Sequence, residues 1–280
     1  MSRPLRIQYP GAIYHITARG NAKKSIFSDD QDREQFLFIL ANTMEKFNWL
    51  CHAFVLMDNH YHLVIETIDP TMSKGMRQLN GVYTQWSHEK YDSVGHILQG
   101  RFKGFLVEEA PYLLNVVRYV ILNPVRASMV SDPAEFPWSS YGAMMGKDML
   151  THLVTTKKVL EKFDNNKQTA QQKFREFLLG GVGLPSPFNG INGVILGSDQ
   201  FIDEMHERLQ PTENEKEIVK ASRMAGRPTL QELFDGVEST EERNAAIKLA
   251  IGILHYSGAE VGRFLHLDAS TMCKIASKNS

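Results

Sequence analysis

The stretch that decides the fold reads Val55-Leu56-Met57-Asp58-Asn59-His60-Tyr61-His62-Leu63-Val64-Ile65. Apolar runs flank the polar residues at its centre, and we predict strands near residues 50–57 and 60–67. Because successive strand side chains point to opposite faces, His60 and His62 project to the same side of the second strand. Two neutral imidazoles on one face can share a divalent metal ion. Two histidines held in the core by hydrogen bonds are an equally good interpretation of this segment.

The neighbouring segments predict an α+β fold built on this pair of strands. Their order is strand, helix, strand, strand, helix, strand, helix, which is typical of the split βαβ, or ferredoxin-like, arrangement of an antiparallel sheet with packed helices. Besides the two central strands, we predict strands at 12–19 and 104–107, and helices from Ser28-Asp29-Asp30 to about Lys46, from about Thr71 to Lys90, and from Pro111 onward.

A tyrosine and an asparagine four residues apart follow the histidine pair by about sixty residues. Tyr119 and Asn123 would share one face of a helix, with Pro124 pushing Asn123 toward the helix end. A phenol beside a metal-binding strand could attack a phosphodiester, and the Asn123 amide could be a further metal ligand. The alternative is an amphipathic helix in which Tyr119 only packs against the sheet.

Three cations near these residues are candidates for contact with a DNA backbone. The run Gln99-Gly100-Arg101-Phe102-Lys103-Gly104 interleaves Arg101 and Lys103 with an aromatic ring and glycines, which suits close approach to phosphates. A solvated turn explains the same run equally well. Arg126 could likewise bind a phosphate or form a surface ion pair.

Composition indicates a globular protein that works in a reducing compartment. Of 280 residues, 42% are hydrophobic and 22% charged, and only two are cysteines. We see no secretory signal and no apolar run of membrane-spanning length, so we expect a cytoplasmic protein without a membrane partner. The balance of 31 Lys and Arg against 32 Asp and Glu argues against sequence-independent duplex binding as the main role.

The chain divides by character into three predicted regions. Residues 1–147 carry the motifs above, and 148–215 look helical and polar with no chemistry that we can assign. Residues 216–280 end in helical periodicity from Glu241 to Tyr256 and shorter helices at 258–265 and 270–277. Two short helices joined by a tight turn are typical of a helix-turn-helix, so duplex DNA is a second candidate partner.

Together these segments resemble the single-tyrosine HUH transposases, most closely the REP-associated tyrosine transposase branch. The resemblance covers about residues 1–145 and rests on four segments in the expected order: Met57-Asp58-Asn59-His60-Tyr61-His62-Leu63-Val64, Gln99-Gly100-Arg101-Phe102-Lys103, Arg118-Tyr119-Val120-Ile121-Leu122-Asn123-Pro124-Val125-Arg126-Ala127, and Pro137-Trp138-Ser139-Ser140-Tyr141. The tail from Arg243 to Lys278 is similar, more loosely, to the helix-turn-helix of the DnaA C-terminal domain.

The resemblance implies a residue role for each part of the site. His60, His62 and Asn123 would bind Mg²⁺ or Mn²⁺, and Tyr119 would be the nucleophile. The expected activity is metal-dependent cleavage and rejoining of single-stranded or hairpin DNA through a 5′-phosphotyrosine intermediate, by a monomer or a homodimer. Arg101, Lys103 and Arg126 would position the DNA backbone.

Two other functions remain open from the sequence. One is a DNA-binding regulatory protein with a vestigial catalytic core, which the near-neutral charge and the tail favour. The other is a metal-dependent phosphodiesterase that uses water, in which Tyr119 is dispensable.

Overall fold

The computed structural model divides the chain into two compact units, Met1–Leu209 and Gln210–Ser280, which we describe separately. The residues described are 7–147, 152–189, 194–209, 229–237, 239–252, 256, 258–268 and 275.

The first unit contains the predicted α+β core with its elements in the predicted order. They are β1 (Ala12–Arg19), α1 (Asp30–Phe47), β2 (Trp49–Met57), β3 (His60–Thr67), α2 (Met72–Tyr91), β4 (Lys103–Val107) and α3 (Glu109–Ile121). Strand order in the sheet is β2-β3-β1-β4-β5, where β5 is the short strand Ile195–Leu196. The first four strands are antiparallel, and β5 runs parallel to β4. The α+β prediction is confirmed, and the sheet is mixed because of this added edge strand.

Strand register fixes which side chains share a face with the histidine pair. On β1, Arg19 lies opposite His60 and Thr17 lies opposite His62. Thr17 also lies opposite Lys103 on β4. Because directly opposed residues of an antiparallel pair point to the same face, these five side chains share one face of the sheet.

The opposite face of the sheet forms the main core against α1 and α2. Tyr61, which points away from its neighbouring histidines, is fully buried with its ring centroid 4.7 Å from that of Phe36 on α1. On α2, Gly75 lies directly against Trp49, and a Cβ atom there would come within 2.1 Å of the indole. This close contact requires glycine and draws α2 onto the sheet.

Caps and left-handed residues set the ends of the long helices. The Asp29 carboxylate accepts a hydrogen bond from the Asp32 amide at 2.9 Å, so the predicted N-terminal cap of α1 is present. Asn48 ends α1 in the left-handed conformation at φ 53° and turns the chain directly into β2.

Helix α3 covers the histidine face and ends where the chain turns. A one-residue break at Leu122 separates α3 from the single-turn helix α4 (Asn123–Arg126), whose second residue is Pro124. Asn123 therefore lies at a helix boundary, as predicted, although the break falls at Leu122 and Asn123 itself begins α4.

The rest of the first unit is mainly helical and packs against this core. It contains α5 (Tyr141–Met144), α6 (Lys157–Leu160), α7 (Lys167–Leu179) and α8 (Asp199–Leu209). Residues 152–209 thus lie in the same unit as the sheet, while the boundaries drawn at 147 and 215 stay a prediction.

The second unit has a small core of its own. Its described helices are α9 (Leu230–Phe234), α10 (Thr240–Gly252) and α11 (Gly258–Leu265), packed around Ile247, Ala250 and Val261. The helix expected over 270–277 lies outside the described residues except for Ile275, so the helix-turn-helix stays a prediction. Across the described ranges of both units, none of the helices has the length and apolar character needed to cross a membrane.

Candidate active site

The two histidines of β3 lie side by side on the face covered by α3. Their ring centroids are 5.0 Å apart, and the ring planes are nearly perpendicular at 82°. His60 is half-buried, and its Nδ1 atom lies 2.7 Å from the Asn59 side-chain oxygen. His62 is 6% exposed. His60 is therefore the more accessible ring of the pair.

His15 on β1 is a third member of this cluster. Its Nε2 atom lies 2.8 Å from Nδ1 of His62, and the two rings stack with centroids 5.0 Å apart. The side chain is buried, and its other nitrogen, Nδ1, has no hydrogen-bond partner among the described residues. A hydrogen bond to one ring nitrogen of a histidine decides the chemistry of the other.

Burial keeps the three imidazoles neutral at pH 7. It lowers the pKa of His15 to about 3 and holds the pKa of His62 well below the ordinary value of 6.5. The pKa of His60 is lowered as well, by burial and by the nearby Arg19 guanidinium. Neutral imidazole is the form that binds metals, so the donors are in the right state.

The two histidine nitrogens can bind a metal ion only if oxygen ligands complete its coordination. Within the described ranges, no group of three or more His, Cys, Asp or Glu side chains is placed to hold a metal ion. His60 and His62 alone offer two nitrogen ligands, and for His62 the free nitrogen is Nε2, because Nδ1 is hydrogen-bonded with Nε2 of His15. A divalent ion here would need further oxygen ligands from an amide, a phosphate or water.

Tyr119 on α3 lies beside the histidines. Its half-buried ring has its centroid 5.8 Å from that of His62 and 5.9 Å from that of His15, edge-on to both. Helix α3 thus carries the phenol to the face where the strand carries the imidazoles, although some sixty residues separate them in the chain.

Asn123 is engaged with the end of α3. Its side-chain nitrogen donates to the backbone oxygens of Tyr119 at 2.8 Å and Val120 at 3.4 Å. Among the described residues these are its side-chain hydrogen bonds, and none joins it to His60 or His62. The side-chain oxygen keeps its full capacity to accept a bond or bind a cation.

A basic cavity of about 350 Å³ opens on the other side of Tyr119. Its walls include Arg118 and Arg126, and the Arg126 guanidinium lies 5.4 Å from the centroid of the Tyr119 ring. Arg118 lies over the Phe177 ring at 4.2 Å and donates to the Asn115 side-chain oxygen at 3.0 Å. No carboxylate of the described residues pairs with either arginine, so we name this space the arginine cavity.

The loop after α7 covers the cluster. Phe188 stacks on His15 with centroids 4.4 Å apart and contacts the edge of Tyr119 at 5.5 Å. Arg126 holds the same loop by donating to the Leu184 carbonyl at 2.6 Å. The sequence pattern around Phe188 does not predict its place in the site, because its contacts depend on how the loop after α7 packs back against the sheet.

The structure separates the two cations of the predicted DNA-binding run. Lys103 begins β4 on the histidine face, whereas Arg101 lies at a second cavity, of about 540 Å³, beneath α2 on the opposite face. Arg126, the third candidate, lines the arginine cavity. Arg118 also lines this cavity, a position that the sequence did not indicate because a helix arginine alone carries no such signal.

Comparison with known proteins finds a family match over part of the chain. Residues 8–122 match a family model described as "Transposase IS200 like", a range that includes His15, His60, His62 and Tyr119 and ends one residue before Asn123. The region is thus similar to IS200-like transposases. A solved structure of a REP-associated tyrosine transposase bound to a REP hairpin matches at 19% identity with a TM-score of 0.45, covering 56% of this chain and 90% of that chain. No curated protein sequence matches the chain.

Proposed function

We propose that this protein is a transposase that cuts and rejoins DNA strands with Tyr119 as the nucleophile. The observation that carries the proposal is the position of the Tyr119 ring between the imidazole pair and the arginine cavity. The match of residues 8–122 to IS200-like transposases supports it.

Single-stranded or hairpin DNA is the proposed substrate. The nucleophile is half-buried in a recess, which an unpaired strand can enter more easily than a base-paired duplex. The near-zero net charge fits an enzyme with a local basic site better than one that coats duplex DNA. Arg118 and Arg126 would hold the phosphates on each side of the scissile bond, as charge-assisted donors.

His60 and His62 would hold the divalent ion, Mg²⁺ or Mn²⁺, together with the side-chain oxygen of Asn123. Such an ion, when bound, polarises the scissile phosphate and stabilises the negative charge that develops on it. His15 would orient His62: if the proton lies on Nδ1 of His62 and is donated to His15, the Nε2 lone pair of His62 faces outward. Asn123 would need no change of its nitrogen contacts to serve, because only its oxygen is used.

The chemical step transfers the phosphate without an external energy source. The Tyr119 oxygen attacks phosphorus, the bond to the 3′ oxygen breaks, and a 5′-phosphotyrosine and a free 3′-hydroxyl result. The proton that the Tyr119 hydroxyl loses in the attack ends, through water, on the departing 3′ oxygen, so the step balances. Arg126 lies beside the ring, where it would contact the phosphate. A second 3′-hydroxyl can then reverse the attack and join new ends.

Denaturing electrophoresis with a labelled single-stranded hairpin library and Mn²⁺ tests the proposal. Wild type should give a metal-dependent covalent band that is absent in Tyr119→Phe and in His60→Ala. Cleaved DNA without a protein-linked band would instead identify the water-using phosphodiesterase. Tight duplex binding with neither product would identify the regulatory protein.

A further inference from the structure

The turn between β2 and β3 places Asn59 directly beside His60. Met57 pairs with His60, so Asp58 and Asn59 form a two-residue hairpin turn. Such turns usually hold one or both central residues at positive φ, which matches the twist of the strands. Neither Asp58 nor Asn59 has a positive φ, although Asp and Asn adopt that conformation more readily than most residues. Contacts from outside the hairpin therefore set the shape of this turn.

The segment that follows β1 supplies those contacts. The Gly20 amide donates to the Asn59 carbonyl at 2.8 Å. The Ile26 and Phe27 amides donate to the Asp58 carbonyl at 2.8 and 3.1 Å. All three hydrogen bonds join backbone groups, so this segment holds the backbone of the hairpin turn at both of its central residues.

Residues 20–24 of this segment form a strained turn, which we name the left-handed turn. Ala22 and Lys23 lie at φ 51° and 63°, a conformation that is unfavourable for residues with a Cβ atom. Gly20 packs so tightly that a Cβ atom there would come within 2.0 Å of the Lys24 carbonyl oxygen. Backbone strain of this kind persists where the surrounding structure enforces it, and it is common at functional sites. What the turn holds in place is therefore of interest.

The left-handed turn determines which way the Asn59 amide faces. The side-chain nitrogen of Asn59 donates to the Lys23 carbonyl at 3.1 Å. A carbonyl can only accept, so the amino group of Asn59 faces Lys23 and the side-chain oxygen faces the other way. That oxygen lies 2.7 Å from Nδ1 of His60. Because the amide oxygen also can only accept, Nδ1 of His60 carries the proton and donates it.

This hydrogen bond leaves Nε2 of His60 with a free lone pair, since a neutral imidazole has one donor and one acceptor nitrogen. In His62, Nδ1 is hydrogen-bonded with Nε2 of His15, so Nε2 is the free nitrogen there too. Both members of the pair thus have the same ring nitrogen free. A hydrogen bond to the other ring nitrogen commonly fixes the tautomer and the orientation of a histidine that binds a metal.

We propose that Asn59 is a positioning residue for His60. Held by the left-handed turn, Asn59 keeps the His60 proton on Nδ1 and leaves Nε2 free to bind the metal ion. His60 is half-buried, so packing restrains its ring less than it restrains the buried ring of His62. The inference rests on the proposed function for the metal ion, and it adds the part of the chain that orients the more accessible ligand.

The position of the His60 proton can be measured in the parent protein without metal or DNA. Nitrogen–proton correlation NMR through the carbon-bound ring protons distinguishes the two tautomers of a neutral imidazole by their nitrogen chemical shifts. The signals of His60 are those that disappear in His60→Gln. At neutral pH the parent protein should carry the His60 proton on Nδ1. A proton on Nε2 overturns the proposal before any change is made to Asn59.

Asn59→Ala removes the acceptor, so the His60 proton should move in part to Nε2. The affinity of the DNA-free protein for Mn²⁺, from electron paramagnetic resonance titration, should fall by about 10- to 100-fold. Asn42→Ala, at an exposed asparagine of α1, is the matched control and should change neither quantity. A purely structural Asn59 would lower the thermal stability when replaced and leave the proton on Nδ1.

Substitutions in the left-handed turn test whether it holds Asn59. Gly20→Ala would drive a Cβ atom against the Lys24 carbonyl, so it should release the imidazole proton as Asn59→Ala does. Gly81→Ala, on α2, should have no effect, because a Cβ atom there meets nothing within 4 Å. Lys23→Gly should keep the proton on Nδ1, since glycine adopts a positive φ without strain.

The outcomes separate this proposal from the proposed function. A folded Asn59→Ala protein that keeps the His60 proton on Nδ1 and binds Mn²⁺ like the parent overturns the proposal and leaves the proposed function standing. A proton that moves to Nε2 in Asn59→Ala, in a protein whose parent form binds no Mn²⁺, supports the role of Asn59 and removes the metal site from the proposed function.

Discussion

His15 couples two neighbouring strands at the point where a metal would bind. If His62 donates its Nδ1 proton to Nε2 of His15, then His15 carries its own proton on Nδ1, the atom that is buried without a partner among the described residues. Leaving such a donor unpaired costs about 1–3 kcal/mol. Because the unpaired Nδ1 of His15 lowers the stability of the fold, packing does not explain a histidine at this position. Orienting the ring of His62 does explain it.

Replacing His15 with phenylalanine tests this coupling. The ring would still stack on Phe188, but it could not accept from His62, so we expect Mn²⁺ to bind about 10- to 100-fold more weakly. Electron paramagnetic resonance titration of the DNA-free protein measures this directly. His88→Phe, on α2, is the control and should leave Mn²⁺ affinity unchanged. Unaltered affinity in a folded His15→Phe protein would assign His15 to the core alone.

At the scale of elements, the loop after α7 lies across the candidate nucleophile. Phe188 contacts Tyr119, His15 and Phe105 with centroid distances of 5.5, 4.4 and 4.9 Å, respectively. A phosphate that reaches Tyr119 from the histidine side, rather than through the arginine cavity, would have to pass this ring, so the loop position would affect access from that side.

Truncating the ring should therefore speed the first chemical step. For Phe188→Ala we expect several-fold faster formation of the covalent adduct at low DNA concentration, measured by quenched time courses with Mn²⁺. Phe163→Ala, which removes a half-buried ring packed against Phe174 on α7, is the comparison, since this ring lies outside both the histidine cluster and the arginine cavity. A slower reaction in Phe188→Ala would show that the ring holds Tyr119 in place.

A buried carboxylate connects the sheet to α6. Glu66 on β3 contacts Nε2 of His52 at 2.7 Å and accepts from the Lys158 ammonium at 2.8 Å. The hydrogen bond with His52 is the main cause that lowers the pKa of Glu66 from 4.5 to about 2, and the hydrogen bond and charge of Lys158 add to it. A carboxyl whose pKa is lower in the folded state stabilises the fold above its unfolded pKa, and this contribution disappears as the pH falls toward the folded pKa.

The stabilising effect of Glu66 should be complete above pH 4.5 and lost between about pH 4.5 and 2. Glu66→Gln should lower the free energy of unfolding by about 3 kcal/mol at pH 7 and by much less at pH 2.5. Urea unfolding at the two pH values measures the difference. Glu161→Gln, in an exposed pair with Lys157 at 3.7 Å, should change stability little at either pH. An equal loss from Glu66→Gln at both pH values would contradict the assignment.

At the scale of the whole molecule, the local parts of the fold and site were predictable and the distant contacts were not. Alternation along β3 places His60 and His62 on one face whatever the rest of the chain does, and the Asp29 cap marks the start of α1. The two-residue strand β5 is too short to leave a pattern. His15 and Phe188 join the site only through strand register and the return of a distant loop, which no local signal encodes.

The charge distribution explains how a protein of net charge −1 could bind DNA. Many acidic side chains are paired, as in Asp132 with Arg175 and Asp29 with Lys90. In contrast, no described carboxylate pairs with the cations around the two cavities and the sheet end between them, which are Arg19, Arg77, Arg101, Lys103, Arg118 and Arg126. Positive charge that is not paired and lies near the two cavities affects the binding of a DNA strand more than the net charge of the whole protein does.

The most direct test of the account identifies the residue that becomes linked to DNA. After reaction with a hairpin substrate and Mn²⁺, trypsin cuts at Arg118 and so separates Tyr112 from Tyr119, the two tyrosines that line the arginine cavity. Mass spectrometry should find the nucleotide on the peptide that begins with Tyr119, with none on the Tyr112 peptide. A nucleotide on Tyr112, or cleaved DNA with no modified peptide, would contradict Tyr119 as the nucleophile.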